Sequence, residues 1–437
     1  MSASQCILCI TAVNVKTIAA DKGNNAKIGA MTAARASSIK ASRRHRLFYR
    51  MPHYADPYIH WSLIILAFYG LLMITSASMG LAIGQPGYLA FVIAKQAVFL
   101  IAGYFSMTYL ANRFSLNFLK SQDFPKLAVG MVFALLACLA FPEVNGAKAW
   151  IRVPVSSLDI SIQPSEFTKT LVPLVIAAYC GDVSRHYEKG RDLWGRPFLF
   201  VMLFAFIIFI LQSDFGSMAV VLSIAIVCFL IPQNPAMRKF QRVLGVLTLV
   251  GIAGIIYLLT PAGIQLVEML PIADYQKNRF ISAFNPFADQ YDTGYQLING
   301  LISFASGGWR GLGFGNSVRK YTSFPAANTD FILAIVVEEM GMIGFLLIFI
   351  PYLIILCRLF HYALHMKSEK GRIILIGTAM YLLIHCLFNI GGVTAMIPLT
   401  GVPLLMISSG GSSTLAFMVS IGLAQAVISQ YRKGLIQ

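Results

Sequence analysis

Asp330 stands where a polar stretch, Phe324-Pro-Ala-Ala-Asn-Thr-Asp330, gives way to a long apolar run. A carboxylate there can cap the helix that follows, favoured by the macrodipole. Partly desolvated beside a polar cavity, it can instead take a raised pKa and work as a general base. Glu166 and Lys169 are three residues apart on one helical face and either neutralise each other or line a cavity. Glu338 and Glu339 are adjacent, so they point about 100° apart, and they lie about 12 Å along the helix from Asp330. They cannot form one acid–base pair, and one of them is expected to face a polar interior. Gln212-Ser-Asp214-Phe-Gly-Ser reads as a short turn whose Asp caps the next helix. Seven glycines fall within 294–315, including Gly311-Leu-Gly-Phe-Gly. No strand–turn–helix unit contains them, so they imply close backbone packing, not a dinucleotide fingerprint. Histidines show no zinc spacing, and the Cys6/Cys9 pair has no second pair, so no metal ligands are assigned.

These residues have to be positioned by elements of an unusual kind. The chain has 437 residues, 57% hydrophobic and only 12% charged. Soluble domains carry roughly 25% charge, so a water-soluble enzyme, a disordered chain and a nucleic-acid binder are excluded. The sequence describes an all-α polytopic membrane protein. Apolar runs of about 17–25 residues predict ten transmembrane helices near 60–83, 89–111, 126–141, 164–180, 197–211, 217–232, 241–260, 331–357, 373–396 and 411–430.

The basic excess tests that count. With both termini cytoplasmic, 25 of the 34 Lys and Arg residues lie on the inside, seven outside, and Lys95 and Lys169 within spans. The positive-inside rule is satisfied by every loop. The net charge of +16 is therefore a topology signal with anionic membrane lipid as its partner. Residues 1–55 read as a basic, disordered cytoplasmic tail with Arg43, Arg44, Arg46 and Arg50 before the first span, and 56–437 as the transmembrane domain. The apolar Ile7–Val15 follows no basic region and makes a weak signal peptide.

Three irregular segments fall on the outside. The largest, 261–329, joins the seventh and eighth spans. It is rich in aromatic residues and holds helical spacing over Tyr295–Phe304, so it is expected to be structured, with short helices at the membrane surface. The others are Asn145 to Lys169 and Asn389 to Ser413. Irregular backbone at membrane depth is tolerated only where it packs in protein or lines a wet cavity. The three are expected to share one cavity.

The motifs, taken in order, resemble the SEDS family (shape, elongation, division and sporulation). They are Asn145-Gly-Ala-Lys with Trp150, Gln163-Pro-Ser-Glu166 with Lys169, Gln212 with Asp214 and Gly216, Gly294-Tyr-Gln296, Gly307-Gly with Gly311-Leu-Gly, Gly315-Asn-Ser, Asn328-Thr-Asp330-Phe, Glu338-Glu-Met-Gly, Asn389-Ile-Gly and Ile407-Ser-Ser-Gly-Gly-Ser-Ser413. The resemblance runs from about residue 60 to the C-terminus. It implies a ten-helix peptidoglycan glycosyltransferase that polymerises lipid II outside the cytoplasmic membrane. It also implies that Asp330 is the base acting on the attacking sugar 4-hydroxyl, with inversion at the anomeric carbon and undecaprenyl pyrophosphate as leaving group. Trp150, Arg152, Glu166, Lys169, Arg319 and Lys320 become candidate substrate contacts. A divalent cation, Mg²⁺ or Mn²⁺, is implied too, since pyrophosphate and carboxylate oxygens suit it.

Gly315-Asn-Ser-Val-Arg-Lys320 and the Gly-Gly-Ser-Ser ending look closer to the division branch than to the elongation branch. This implies septal location, a class B penicillin-binding protein as partner, and other divisome membrane proteins. Some positions depart from the family. Its Pro-Glu-Ala-His-Thr-Asp reads Pro325-Ala-Ala-Asn328-Thr-Asp330, its Lys-Arg-Trp reads Lys148-Ala-Trp150, and Leu405 replaces a Pro. The proposed base is kept, but its neighbouring Glu and His are lost. The competing expectations are an elongation-type polymerase, a lipid II flippase using the same cavity, and a division scaffold with a decayed site.

Overall fold

The computed structural model describes residues 50–437 except 84, 86, 145, 156–157, 184–189, 270–273, 289, 292–293 and 323. The expected disordered tail, Cys6/Cys9 and the basic cluster up to Arg46 lie outside the described residues, as does Asn145.

Thirteen α-helices are described. They are α1 (Pro57–Ala77), α2 (Tyr88–Arg113), α3 (Phe124–Ala137), α4 (Pro164–Cys180), α5 (Gly190–Phe206), α6 (Phe215–Leu230), α7 (Arg238–Leu258), α8 (Pro261–Met269), α9 (Asp274–Phe284), α10 (Tyr295–Gly307), α11 (Ile332–His365), α12 (Glu369–Val393) and α13 (Gly411–Arg432). Each of the ten apolar runs coincides with a helix. Among the described residues, seven helices are long and apolar enough to cross a membrane. Phe124–Ala140 and Phe215–Leu230 are apolar but shorter, and α4, at 17 residues, carries Glu166 and Lys169. The eighth run extends beyond its expected end, to His365.

The helix starts follow local chemistry. Asp56, Asp214 and Ser368 accept from the amides of Ile59, Ser217 and Gly371, and Pro occupies the first turn of α1, α3 and α4, where its missing N–H costs nothing. Large apolar side chains such as Phe68, Leu249 and Val250 are exposed, and α7 buries none of its residues. An outer surface so apolar is stable only in hydrocarbon.

The interior is one apolar core threaded by polar ties. Helix α13 packs on α2, α4 and α12, and α11 packs on α1, α10 and α12. At the end of α11 remote from Asp330, Asp56 is buried and accepts from Arg358 Nη2 at 2.6 Å and Tyr362 Oη at 2.9 Å. Its backbone also exchanges hydrogen bonds with Gln425 of α13. Asp56 thus joins α1 and α11 through its carboxylate and α13 through its backbone.

Two features were not expected. Residues Ile151–Val155 (β1) and Leu158–Ile162 (β2) form an antiparallel hairpin, with Ile151 opposite Ile162 and Arg152 opposite Ser161. Their β-branched, period-two pattern is the signal for it. The second feature is a break in α11 at Gly341 (φ 62°, ψ −158°). The glycine-rich chain after α10 enters that break. Leu312 and Gly313 donate to the carbonyls of Glu338 and Glu339, while Met342 and Ile343 donate to those of Gly308 and Trp309. Backbone groups freed by the break are thereby satisfied inside protein, as membrane depth requires.

Candidate active site

The irregular segments meet through backbone and short polar side chains. Gln163, between β2 and α4, donates from its backbone to Ser412 Oγ at 3.0 Å and from its amide to Asp214 Oδ2 at 2.8 Å. Ser409 N donates to the Asn328 carbonyl, and Ser408 Oγ to that of Thr329. Asn389 on α12 donates to the carbonyls of both Asp330 and Val402, at 2.7 and 3.0 Å. The three expected segments therefore converge, and they wall a cavity of about 670 Å³.

Asp330 lies on the wall of that cavity. It is not the helix cap: Phe331 occupies that position, and no side chain caps α11. Burial pushes the Asp330 carboxyl up to about 7, against the opposing pull of Arg279 and with a further push from Asp214. A base poised near neutrality is suited to taking a hydroxyl proton.

Glu166 and Lys169 also reach the cavity wall, and they are paired at 2.6 Å with side chains only 2% and 1% exposed. The two readings of this pair are both realised. Tyr381 Oη donates to the other Glu166 oxygen at 2.9 Å. Lys169 Nζ lies 3.1 Å from His385 Nε2, and His385 Nδ1 lies 3.0 Å from the Pro403 carbonyl. A carbonyl only accepts, so Nδ1 carries the proton and Nε2 accepts from the ammonium. This chain of contacts ties α4 and α12 to the segment around Pro403. Tyr381 and His385 went unrecognised in the sequence because they lie 215 and 216 residues from their partners. A polar residue repeated on one face of an apolar span was the available signal.

Trp150 lines the cavity. Arg152 is on β1, partly exposed, and is not among the lining residues. Arg319 and Lys320 are not brought to the cavity either. Arg319 donates to Asn299 Oδ1 at 3.3 Å, and Lys320 is buried against Glu339 at 2.8 Å and Ser76 at 3.1 Å. A buried ammonium must be paired, and Glu339 is the partner that draws Lys320 inward. Ser317 Oγ donates to Glu338 at 2.6 Å, so both glutamates are anchors for the chain that enters the α11 break. The wall also includes Lys95 of α2 and Arg279 of α9. Neither was singled out for this role. Among the described residues no three His, Cys, Asp or Glu side chains gather to hold a metal.

A helical bundle of this kind, with ionisable groups converging on one cavity among broken segments, defines a polytopic integral membrane protein. The chain belongs to the cell cycle protein family FtsW/RodA/SpoVE, whose family model matches residues 58–433. It is 30% identical over 376 residues to the probable peptidoglycan glycosyltransferase FtsW of Bacillus subtilis (strain 168), covering 85% of this chain and 90% of that relative. The probable peptidoglycan glycosyltransferase FtsW of Hahella chejuensis (strain KCTC 2396) is 31% identical over 381 residues, with the same coverage. Among solved structures, a chain from a peptidoglycan synthase complex that coordinates polymerization and crosslinking aligns with a TM-score of 0.61 at 25% identity, over 86% of this chain and 98% of that one. The crystal structure of the Thermus thermophilus rod shape determining protein RodA aligns with a TM-score of 0.56 at 21% identity, over 86% and 97%. The latter likeness is one of fold alone.

Proposed function

We propose that this chain is a peptidoglycan glycosyltransferase that polymerises lipid II into glycan strands during division. The observation that carries this reading is the Asp330 carboxyl, with a pKa near 7, on the wall of a cavity that also presents Lys95, Lys169 and Arg279. Asp330 takes the proton of the acceptor 4-hydroxyl as its oxygen bonds to the donor anomeric carbon. The bond from that carbon to the pyrophosphate oxygen breaks on the opposite face, so the configuration inverts and undecaprenyl pyrophosphate leaves. Cations in a partly desolvated wall favour an anionic leaving group. Trp150 offers a flat apolar face to a sugar.

The same reading places ten spans across the cytoplasmic membrane at the septum, with both termini inside and the segment 261–329 outside. The partner class is a penicillin-binding protein of class B, together with other divisome membrane proteins. The chain gathers no cage for a resident metal among its described residues, so a divalent cation would arrive on the substrate's pyrophosphate oxygens. When bound, it would neutralise charge on the leaving group.

The buried Glu166–Lys169 pair and the break in α11 also favour a second reading, a lipid II transporter. Purified protein given labelled lipid II and Mn²⁺, with and without the partner, separates the two. Glycan ladders from wild type that vanish in a folded Asp330→Ala variant support polymerisation by this base. Ladders from both proteins would remove Asp330 from the mechanism, and lipid movement without polymer would favour the transporter.

A further inference from the structure

Arg279 belongs to α9, a helix that packs mainly on α8 and on the turn Pro286–Ala288 that follows it. It reaches the cavity wall through Arg279 and Phe280. Across the wall stands Gly401, in the segment held by Asn389 through the neighbouring Val402 carbonyl. A Cβ built on Gly401 would lie 3.6 Å from Asp330 Oδ2 and 3.7 Å from both terminal nitrogens of Arg279. The guanidinium and the carboxylate therefore flank one backbone position and are no more than about 7 Å apart.

We propose that Arg279 is a positioning residue for Asp330, its guanidinium fixing the direction and the charge of that carboxylate across Gly401. An arginine keeps its charge at any working pH and presents a rigid planar fork. An opposite charge in this range favours the ionised carboxylate, which is the form a base needs. The other charged groups on the wall are Lys95 of α2, Glu166 and Lys169 of α4, and Asp214 before α6. Glu166 and Lys169 are committed to each other, and Asp214 accepts from Gln163 and from the Ser217 amide. Arg279 is the cation the geometry places beside both Asp330 and Gly401. Its assignment as a positioning residue rests on Asp330 being the base of the proposed reaction.

The test compares wild type, Arg279→Gln and Arg279→Lys in lipid II polymerisation across pH. Loss of the cation should move the acid limb of kcat/KM up by about one pH unit, a further tenfold lower rate on that limb. Loss of the fork should lower the high-pH plateau as in Arg279→Lys, with KM little changed. Arg279→Lys keeps the charge and loses the fork, so it should hold the midpoint and lower kcat. A Gln variant that loses rate equally at every pH, or that raises KM at constant kcat, overturns the proposal. So does a Lys variant equal to wild type in kcat. An independent readout needs no substrate: carbodiimide modification of the protonated Asp330 carboxyl, followed by mass spectrometry against pH. Its midpoint should rise in Arg279→Gln, and an unmoved midpoint overturns the proposal whatever the polymer assay gives. If wild type makes no polymer at any pH while the labelling midpoint still moves, the pairing stands and the glycosyltransferase reading falls.

Discussion

Gly341 and Gly311 meet backbone to backbone: a Cβ on Gly341 would lie 2.5 Å from the Gly311 nitrogen. Both have positive φ, 62° and 75°, and Gly311 N in turn donates to the Gly307 carbonyl at 2.7 Å. This meeting lets the chain after α10 enter the break in α11 and pair with its exposed peptide groups. It lies on the helix that begins two residues after Asp330, so it fixes the direction of the short segment, 332–340, that follows the candidate base.

Alanine at either glycine should therefore destabilise the protein by more than a surface change would. A positive-φ backbone costs about 1–3 kcal/mol for a residue with a Cβ, and the clash with backbone adds about 1–3 kcal/mol. Melting temperatures in detergent for Gly341→Ala and Gly311→Ala should both fall. Gly87→Ala is the control, because its φ is 85° and nothing lies within 4 Å of its missing Cβ. It should lose only the backbone part. Equal losses at all three positions would show that the contact contributes nothing.

Lys320 gives a sharper division between binding and structure. The resemblance places it among substrate contacts, whereas here it is fully buried against Glu339. Removing one partner of a buried ion pair leaves an unpaired charge, at a cost of about 3–5 kcal/mol. Lys320→Met should lower the melting temperature sharply, and Lys320→Met with Glu339→Gln should recover part of the loss. KM for lipid II in whatever folded fraction remains should stay close to wild type. A raised KM at normal stability would restore Lys320 to the substrate site.

Most of the helices could be read from the sequence because hydrocarbon imposes one simple rule, an apolar run of sufficient length. Asp330, Glu166 and Lys169 could be placed for a related reason, whereas Trp150 came from the family resemblance alone. Polar or ionisable groups at the edge of such runs are costly enough to need a purpose. The pairing of Lys320 with Glu339 was not legible, since it depends on how a loop folds back 19 residues and on which of two adjacent glutamates faces it. Arg279 looked like one loop charge among seven. Only the third dimension sets it beside Gly401.

A raised carboxyl pKa makes a prediction about stability as well as rate. With a folded value of about 7 and an ordinary value near 3.9 when unfolded, the native state holds its proton longer than the unfolded chain does. Stability is therefore lost as pH rises through the interval between those values, and the loss is complete above about pH 7. Asp330→Asn removes the titration. The variant should be inactive yet more stable than wild type at about pH 8, by roughly 1–2 kcal/mol once solvent at the cavity wall is allowed for. Near pH 4 the advantage should vanish. Melting curves of both proteins across pH decide it; a constant difference would mean that Asp330 is not the group being strained.

The Glu166–Lys169 pair yields the last prediction, because its partners can be removed one at a time. Glu166→Gln leaves the Lys169 ammonium facing a neutral amide and His385 Nε2, and Lys169→Met leaves the carboxylate with Tyr381 alone. Each single change should cost about 3–5 kcal/mol, while the double variant should cost less than either, since no unpaired charge remains. Coupling of that sign in a double-mutant cycle identifies the pair as a structural tie between α4 and α12. Activity separates the cavity role. If Lys169 also faces substrate, the double variant should regain melting temperature without regaining polymerisation. If both return together, Lys169 acts only by holding the helices in place.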